Sequence, residues 1–247
     1  MRFSRLFTLA LALPLAAAAQ QITVSTAASL TDAFKELGPK FEASQPGTTV
    51  RFNFAASGVL LQQISQGAPV DVFVSADQDT MDRGAAQKLL DADSRKNFVS
   101  NSLVLIEPGK EGTGIKSLQD LTNPKVNKIA IGKPATVPAG RYTQQVLEGA
   151  KLWGVLEPKF VQADNVRQVL DYVSRGEAEA GFVYRTDATL LGDKVKIVLT
   201  PAGHTPVSYP LAIVSDSKQK AVAQNFINFL FTDAAQQVLS KYGFGKP

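Results

Sequence analysis

The 247 residues contain no cysteine, one histidine and one tryptophan. Without cysteine there are no disulfides, so an exported chain of this kind must draw its stability from its core. One histidine and no cysteine make a zinc centre unlikely to be built here. Charge is nearly balanced, with 26 Lys and Arg against 22 Asp and Glu and a net of +4. Arg2 and Arg5 account for two of those charges, so the rest of the chain stands at +2 (4 − 2). No basic stripe of the kind that binds nucleic acid is present. Long apolar runs are missing after the first twenty residues, and nothing later approaches the length of a membrane span.

What is present begins with a leader. "MRFSR" is basic, "LFTLALALPLAAAA" is apolar and ends in small residues, and Ala17-Ala18-Ala19 fits an A-x-A cleavage pattern. Residues 1–19 are therefore expected to be a secretory signal peptide, with Gln20 the new N-terminus. Lacking the cysteine that lipid attachment requires, the mature chain is expected to be soluble in the periplasm.

From residue 22 onward, strand-like and helix-like segments alternate. "ITVSTAAS", "TTVRFNF" and "VDVFVSA" read as strands. Each precedes a helical pattern: "LTDAFKELGPKFEAS", in which Pro39 could kink or restart the helix, then "GVLLQQISQG" and "DQDTMDRGAAQKLL". This order predicts a parallel sheet flanked by helices. A second run holds strands "SLVLIEP", "KIAIG", "AEAGFVY" and "VKIVLT", and helices "PAGRYTQQVLEGAKLWG" and "NVRQVLDYVSRG". Strand "VSYPLAIV" and two helices close the chain. The fold class is α/β in two lobes, 20–100 with 207–247 and 101–206, and open parallel sheets bind ligands beyond the carboxyl ends of their strands.

Four of these strand ends run into a helix start bearing a small residue, a hydroxyl or a free amide: Ser29, Ser57, Ala139 and Val166. Helix N-termini offer unpaired N–H groups and the positive end of the helix dipole, so they hold anions without Lys or Arg. Between Arg51 and Asp71 there is no charged residue. Each feature also has a simpler reading. Ser29 with Asp32 resembles a capping box, Ser57 can cap its own helix, Asp164 can cap the helix that follows, and Tyr184 can be an ordinary core tyrosine.

Taken in order, "ITVSTAASLTDAF", "FAASGVLLQQISQGAPVDVFVSAD", "NSLVLI", "VPAGRY", "DNVRQVL", "GFVYRTDA" and "KYGF" resemble the molybdate-binding periplasmic proteins, the receptors of molybdate ABC importers. The likeness spans essentially the whole mature chain. It implies a type II periplasmic binding protein fold with the ligand cleft between the lobes. It implies that molybdate or tungstate is held by the hydroxyls and N–H groups of Ser29 and Ser57, the N–H groups of Ala139 and Val166, and the phenol of Tyr184. Molybdenum would enter only as the oxyanion, with no side chain ligating a metal ion and no cofactor. The implied partners are an inner-membrane permease and its ATPase, and the implied state is a monomer that binds no nucleic acid. One departure stands out: Ser57 is flanked by Ala56 and Gly58, where the family often has further serines.

Other classes find less in the sequence. An enzyme would need a nucleophile with its base, paired carboxylates or a metal, and there is neither a GxSxG elbow nor a P-loop. His204 lies in a Pro/Gly-rich turn. Ferric receptors usually pair adjacent tyrosines, whereas Tyr142, Tyr172 and Tyr209 are distant from Tyr184 in sequence. A receptor for sulfate, another oxyanion or a small organic anion is the alternative that remains.

Overall fold

The computed structural model describes residues 20–110 and 112–247. The leader read over 1–19 lies outside them. Among the described residues no helix is long and apolar enough to cross a membrane.

The chain first lays down β1 (Gln20–Ala27), α1 (Thr31–Ser44), β2 (Thr48–Ala55), α2 (Ser57–Ser65), β3 (Val72–Val74), α3 (Gln78–Ala86) and β4 (Lys96–Ser100). It continues with β5 (Leu103–Pro108), β6 (Ile129–Gly132), α4 (Pro138–Gly149), α5 (Trp153–Leu156), β7 (Phe160–Ala163), α6 (Val166–Ser174), β8 (Ala180–Tyr184), α7 (Arg185–Leu190) and β9 (Val195–Leu199). It ends with β10 (Ser208–Ile213), α8 (Lys220–Leu230) and α9 (Asp233–Lys241).

Two five-stranded sheets result, ordered β2-β1-β3-β10-β4 and β7-β6-β8-β5-β9. In each, three strands pair parallel, a fourth (β10 in the first, β5 in the second) runs opposite to them, and the edge strand beyond it (β4, β9) pairs antiparallel with that fourth strand. The lobes therefore share one plan, with β6, β7 and β8 standing where β1, β2 and β3 stand. The second strand of each triad is an edge. Buried strands such as Leu103–Ile106 and Ile129–Ile131 are apolar throughout because both faces are covered.

The first lobe is held by an aromatic cluster. Phe34 on α1 meets Phe52, Phe98 and Phe226 with ring centres 5.6, 6.1 and 6.1 Å apart, and Phe41 meets Phe226 at 5.1 Å. Phe226 belongs to α8, so the returning C-terminal segment seals the first core. A fully buried Phe contributes roughly 1.5–3 kcal/mol.

Some expectations are corrected. Pro39 neither breaks nor restarts α1, which runs unbroken through it. The single helix expected over 138–154 is two, because Lys151 turns left-handed at φ 58° and ends the first. Strands β4 and β7 lack a clear sequence pattern. Both are sheet edges, where only part of each strand is covered.

Candidate functional site

The carboxyl ends of the parallel strands face each other across the gap between the lobes. Ser29 follows β1 within a short 3₁₀ turn, Ala28–Leu30. Ser57 opens α2 directly after β2. Ala139 lies in the first turn of α4, Val166 opens α6, and Tyr184 ends β8. All five line one cavity, together with Ala27, Ala28, Ala55, Ala56, Ala76, Val137 and Pro138. Ser29, Ser57, Ala139, Val166 and Tyr184 are each at most 4% exposed.

That cavity is about 10 Å³, about the room of a single water molecule. Pockets for organic ligands run to roughly 300–1,000 Å³. The space suits one compact ion. A larger open groove of about 1070 Å³ lies elsewhere, between α6 and the start of β9.

The simpler readings of the serines fail on geometry. Ser29 caps nothing: its Oγ sits 2.9 Å from the Tyr209 hydroxyl, and Asp32 pairs with Arg167 instead of closing a capping box. Ser57 is inside α2, whose N-cap is Ala56, and its Oγ accepts the Ala76 N–H at 3.0 Å. Asp164 is not the cap of α6 either. Asn165 holds that position and accepts the Gln168 N–H at 3.0 Å, while exposed Asp164 pairs with Lys133. Tyr184 is 1% exposed and its hydroxyl is buried with no hydrogen-bond partner among the described residues. A phenol buried in that state carries a desolvation cost unless something in the cavity accepts its proton.

Among the described residues no charged side chain lines the cavity, yet two arginines stand just behind it. Arg167, at the second position of α6, pairs with Asp187 at 2.6 Å in its own lobe and with Asp32 at 2.7 Å across the gap. It also donates to the Ser29 carbonyl at 3.3 Å. Burial pushes the Asp187 carboxyl up to about 6, against the opposing pull of Arg167. Arg141 on α4 crosses to Asp77 at 2.6 Å and to the Thr80 hydroxyl at 2.6 Å. Both guanidiniums are thus occupied by lobe-bridging ion pairs beside the cavity.

Gly58 explains the departure next to Ser57. Its N–H donates to the Thr136 carbonyl of the other lobe at 2.9 Å. A Cβ there would lie 2.7 Å from that oxygen and 2.8 Å from the Thr136 Cα. A serine would hold the lobes apart. Gly140 has the same role within the second lobe, where a Cβ would lie 2.0 Å from the Gly132 oxygen.

Tyr142, Tyr184 and Tyr209, distant in sequence, meet at the back of the site with ring centres 6.5 and 5.9 Å apart. Burial pushes all three phenols up. That opposes the tyrosinate a ferric site would need. His204 stacks on Tyr142 with ring centres 5.5 Å apart. Among the described residues no three His, Asp or Glu gather as a metal-ion site.

Residues 22–245 match the family model for bacterial extracellular solute-binding proteins. The chain belongs to that family. Over 92% of its length it is 36% identical to the molybdate-binding protein ModA of Haemophilus influenzae, covering 91% of that protein. It is 38% identical over 90% of its length to the putative ABC transporter substrate-binding lipoprotein YvgL of Bacillus subtilis, covering 85% of it. Among solved structures, the periplasmic molybdate-binding protein of Azotobacter vinelandii superposes with a TM-score of 0.78 at 25% identity, over 92% of this chain and 99% of that one. The Mycobacterium tuberculosis sulfate-binding protein, at 20% identity and TM-score 0.80, shows the same fold.

Proposed function

We propose that this family member is the periplasmic receptor of an ABC importer for molybdate, and for tungstate by the same chemistry. The observation that carries the reading is a small cavity, walled by uncharged groups from both lobes, whose polar lining is built from potential donors. Relatives named for molybdate binding, at 35–36% identity, support the choice of anion.

In this reading Ser29 and Ser57 each give a hydroxyl and an N–H, Ala139 and Val166 give N–H groups, and Tyr184 gives its phenol. First-turn N–H groups have no partner inside their helices, so a dianion completes them. Phosphate keeps a proton at neutral pH and would need an acceptor opposite it, and among the described residues none in the lining offers a carboxylate. Sulfate matches in charge and shape, so cavity size must exclude it. Donors divided between lobes favour closure when the anion binds. The closed receptor then docks on a permease, whose ATPase drives release. We take the protein to be a monomer that needs no cofactor, catalyses nothing and binds no nucleic acid. Export by a cleaved signal peptide is consistent with a sequence that has no cysteine for acylation.

The test is calorimetric titration of anion-stripped mature protein with molybdate, repeated with sulfate and phosphate in excess. One-to-one binding that survives both competitors is expected. Binding of sulfate or an organic anion with no response to molybdate would keep the fold and overturn the ligand.

A further inference from the structure

A serine hydroxyl can donate or accept, so an all-donor cavity needs something to fix the direction of its hydroxyls. For Ser57 the backbone does this. The Ala76 N–H occupies the Ser57 oxygen at 3.0 Å, which leaves the hydroxyl proton free for the cavity. For Ser29 the neighbour is another hydroxyl, Tyr209, at 2.9 Å, and either could donate.

The ambiguity is resolved one residue further back. Asn101 lies in the segment that joins β4 to β5, and its own N–H donates to Val207 before β10, so it ties the two crossing strands together. Its Oδ1 accepts the Ser102 N–H at 2.9 Å. That N–H cannot accept, so the amide cannot flip. Nδ2 therefore faces the Thr186 hydroxyl at 2.9 Å and the Tyr209 hydroxyl at 3.2 Å, and donates one hydrogen to each. Among the described residues, Ser29 Oγ is then the one acceptor within reach of the Tyr209 proton. Tyr209 donates to Ser29, and the Ser29 proton is left for the cavity.

We propose that Asn101 is a specificity-determining residue: acting through Tyr209, it fixes the Ser29 hydroxyl as a donor and so selects fully deprotonated oxyanions over protonated ones. This rests on the oxyanion reading of the site and adds to it a positioning residue that never touches the ligand. Asn101→Asp is the near-isosteric reversal. A carboxylate at 101 still accepts from Ser102 but now also accepts from Thr186 and Tyr209. Tyr209 turns to it, Ser29 donates to Tyr209, and a lone pair replaces a proton in the cavity.

The experiment titrates wild type, N101D, Y209F and the double variant N101D/Y209F with molybdate and with inorganic phosphate at neutral pH, once a thermal melt has shown that each is folded. N101D is expected to lose about tenfold or more in molybdate affinity, the scale of one hydrogen bond to a charged group. Its molybdate-to-phosphate affinity ratio is expected to fall by at least as much. Y209F breaks the relay and leaves Ser29 free to donate, so the double variant is expected to recover to the affinity of Y209F. That recovery separates hydrogen-bond direction from the added charge, which the double variant keeps. Unchanged molybdate binding in N101D, an unchanged ratio, or a double variant as weak as N101D would each overturn the inference. If the wild type fails to bind molybdate, the reading of the ligand falls and takes this inference with it; a wild type that binds, with any contrary variant result, overturns the inference alone.

Discussion

The two lobes follow one strand plan but equip the site differently. The first lobe contributes side-chain hydroxyls, Ser29 and Ser57, each held by a neighbouring donor or hydroxyl. The second contributes chiefly backbone, the first turns of α4 and α6, with Tyr184 as its one polar side chain at the cavity. The ionic groups divide the opposite way. Arg141 and Arg167 come from the second lobe, and the first supplies Asp77 and Asp32. Neutral groups thus meet at the centre while charges pair behind it, so in the proposed reading the ion pairs that join the lobes do not compete for the anion.

The largest test of that division is Arg167→Met. It strands Asp187, fully buried, and removes a lobe-bridging pair. Breaking one side of a buried pair costs about 3–5 kcal/mol, which denaturant unfolding would register. A cost below about 1 kcal/mol would mean that the pair is not buried as described.

Next come the donors themselves. Ser29→Ala and Ser57→Ala are each expected to weaken molybdate binding by about 1.5–3 kcal/mol in calorimetry. Val166→Ala keeps its N–H, so its affinity should stay within about threefold, or roughly 0.7 kcal/mol. Equal losses at Ser57 and Val166 would erase the contrast between a side-chain lobe and a backbone lobe. Gly58→Ala sharpens it differently. The new Cβ meets the Thr136 backbone, and overpacking of about 1–3 kcal/mol should appear as weaker binding with little change in the unfolding of the unliganded protein.

Asp187 adds a pH signature. Its folded value of about 6 lies above the ordinary 3.8, so the folded state binds the proton more tightly. Its contribution to stability is fully present below about pH 4 and is lost as the pH rises through 6. In Asp187→Asn that part of the slope should vanish from the unfolding temperature measured between those limits. The smallest effect is at Asp164. It is exposed and caps nothing, so Asp164→Ala should shift stability by no more than about 0.5 kcal/mol.

These contrasts also mark what was readable from residues alone. Alternating strands and amphipathic helices carried the two-lobed α/β plan, because burial imposes periodicity on each element. The helix starts at Ser57, Ala139 and Val166 were visible as small or polar residues after strands. Arg141 and Arg167 were not, because their partners are distant in sequence: Asp187 lies 20 residues from Arg167 within the same lobe, and Asp77 lies 64 residues from Arg141 on the other lobe. Asn101 and Tyr209, 108 residues apart, were hidden for the same reason. The choice between capping and ligand contact at Ser29 also needed coordinates, since it depends on where one hydroxyl points. Gly58 looked like a missing serine, and its purpose appears only when Thr136 of the other lobe is seen against it.

In the proposed reading, uncharged donors from both lobes hold the anion while the arginines stay on their aspartates. A crystal structure of the molybdate complex tests it most directly. Anion oxygens are expected about 2.7–3.2 Å from the hydroxyls of Ser29, Ser57 and Tyr184 and from the N–H groups of Ala139 and Val166. Arg141 is expected to remain on Asp77, and Arg167 on Asp32 and Asp187. An anion seated outside this cavity, or gripped by either guanidinium, would contradict it.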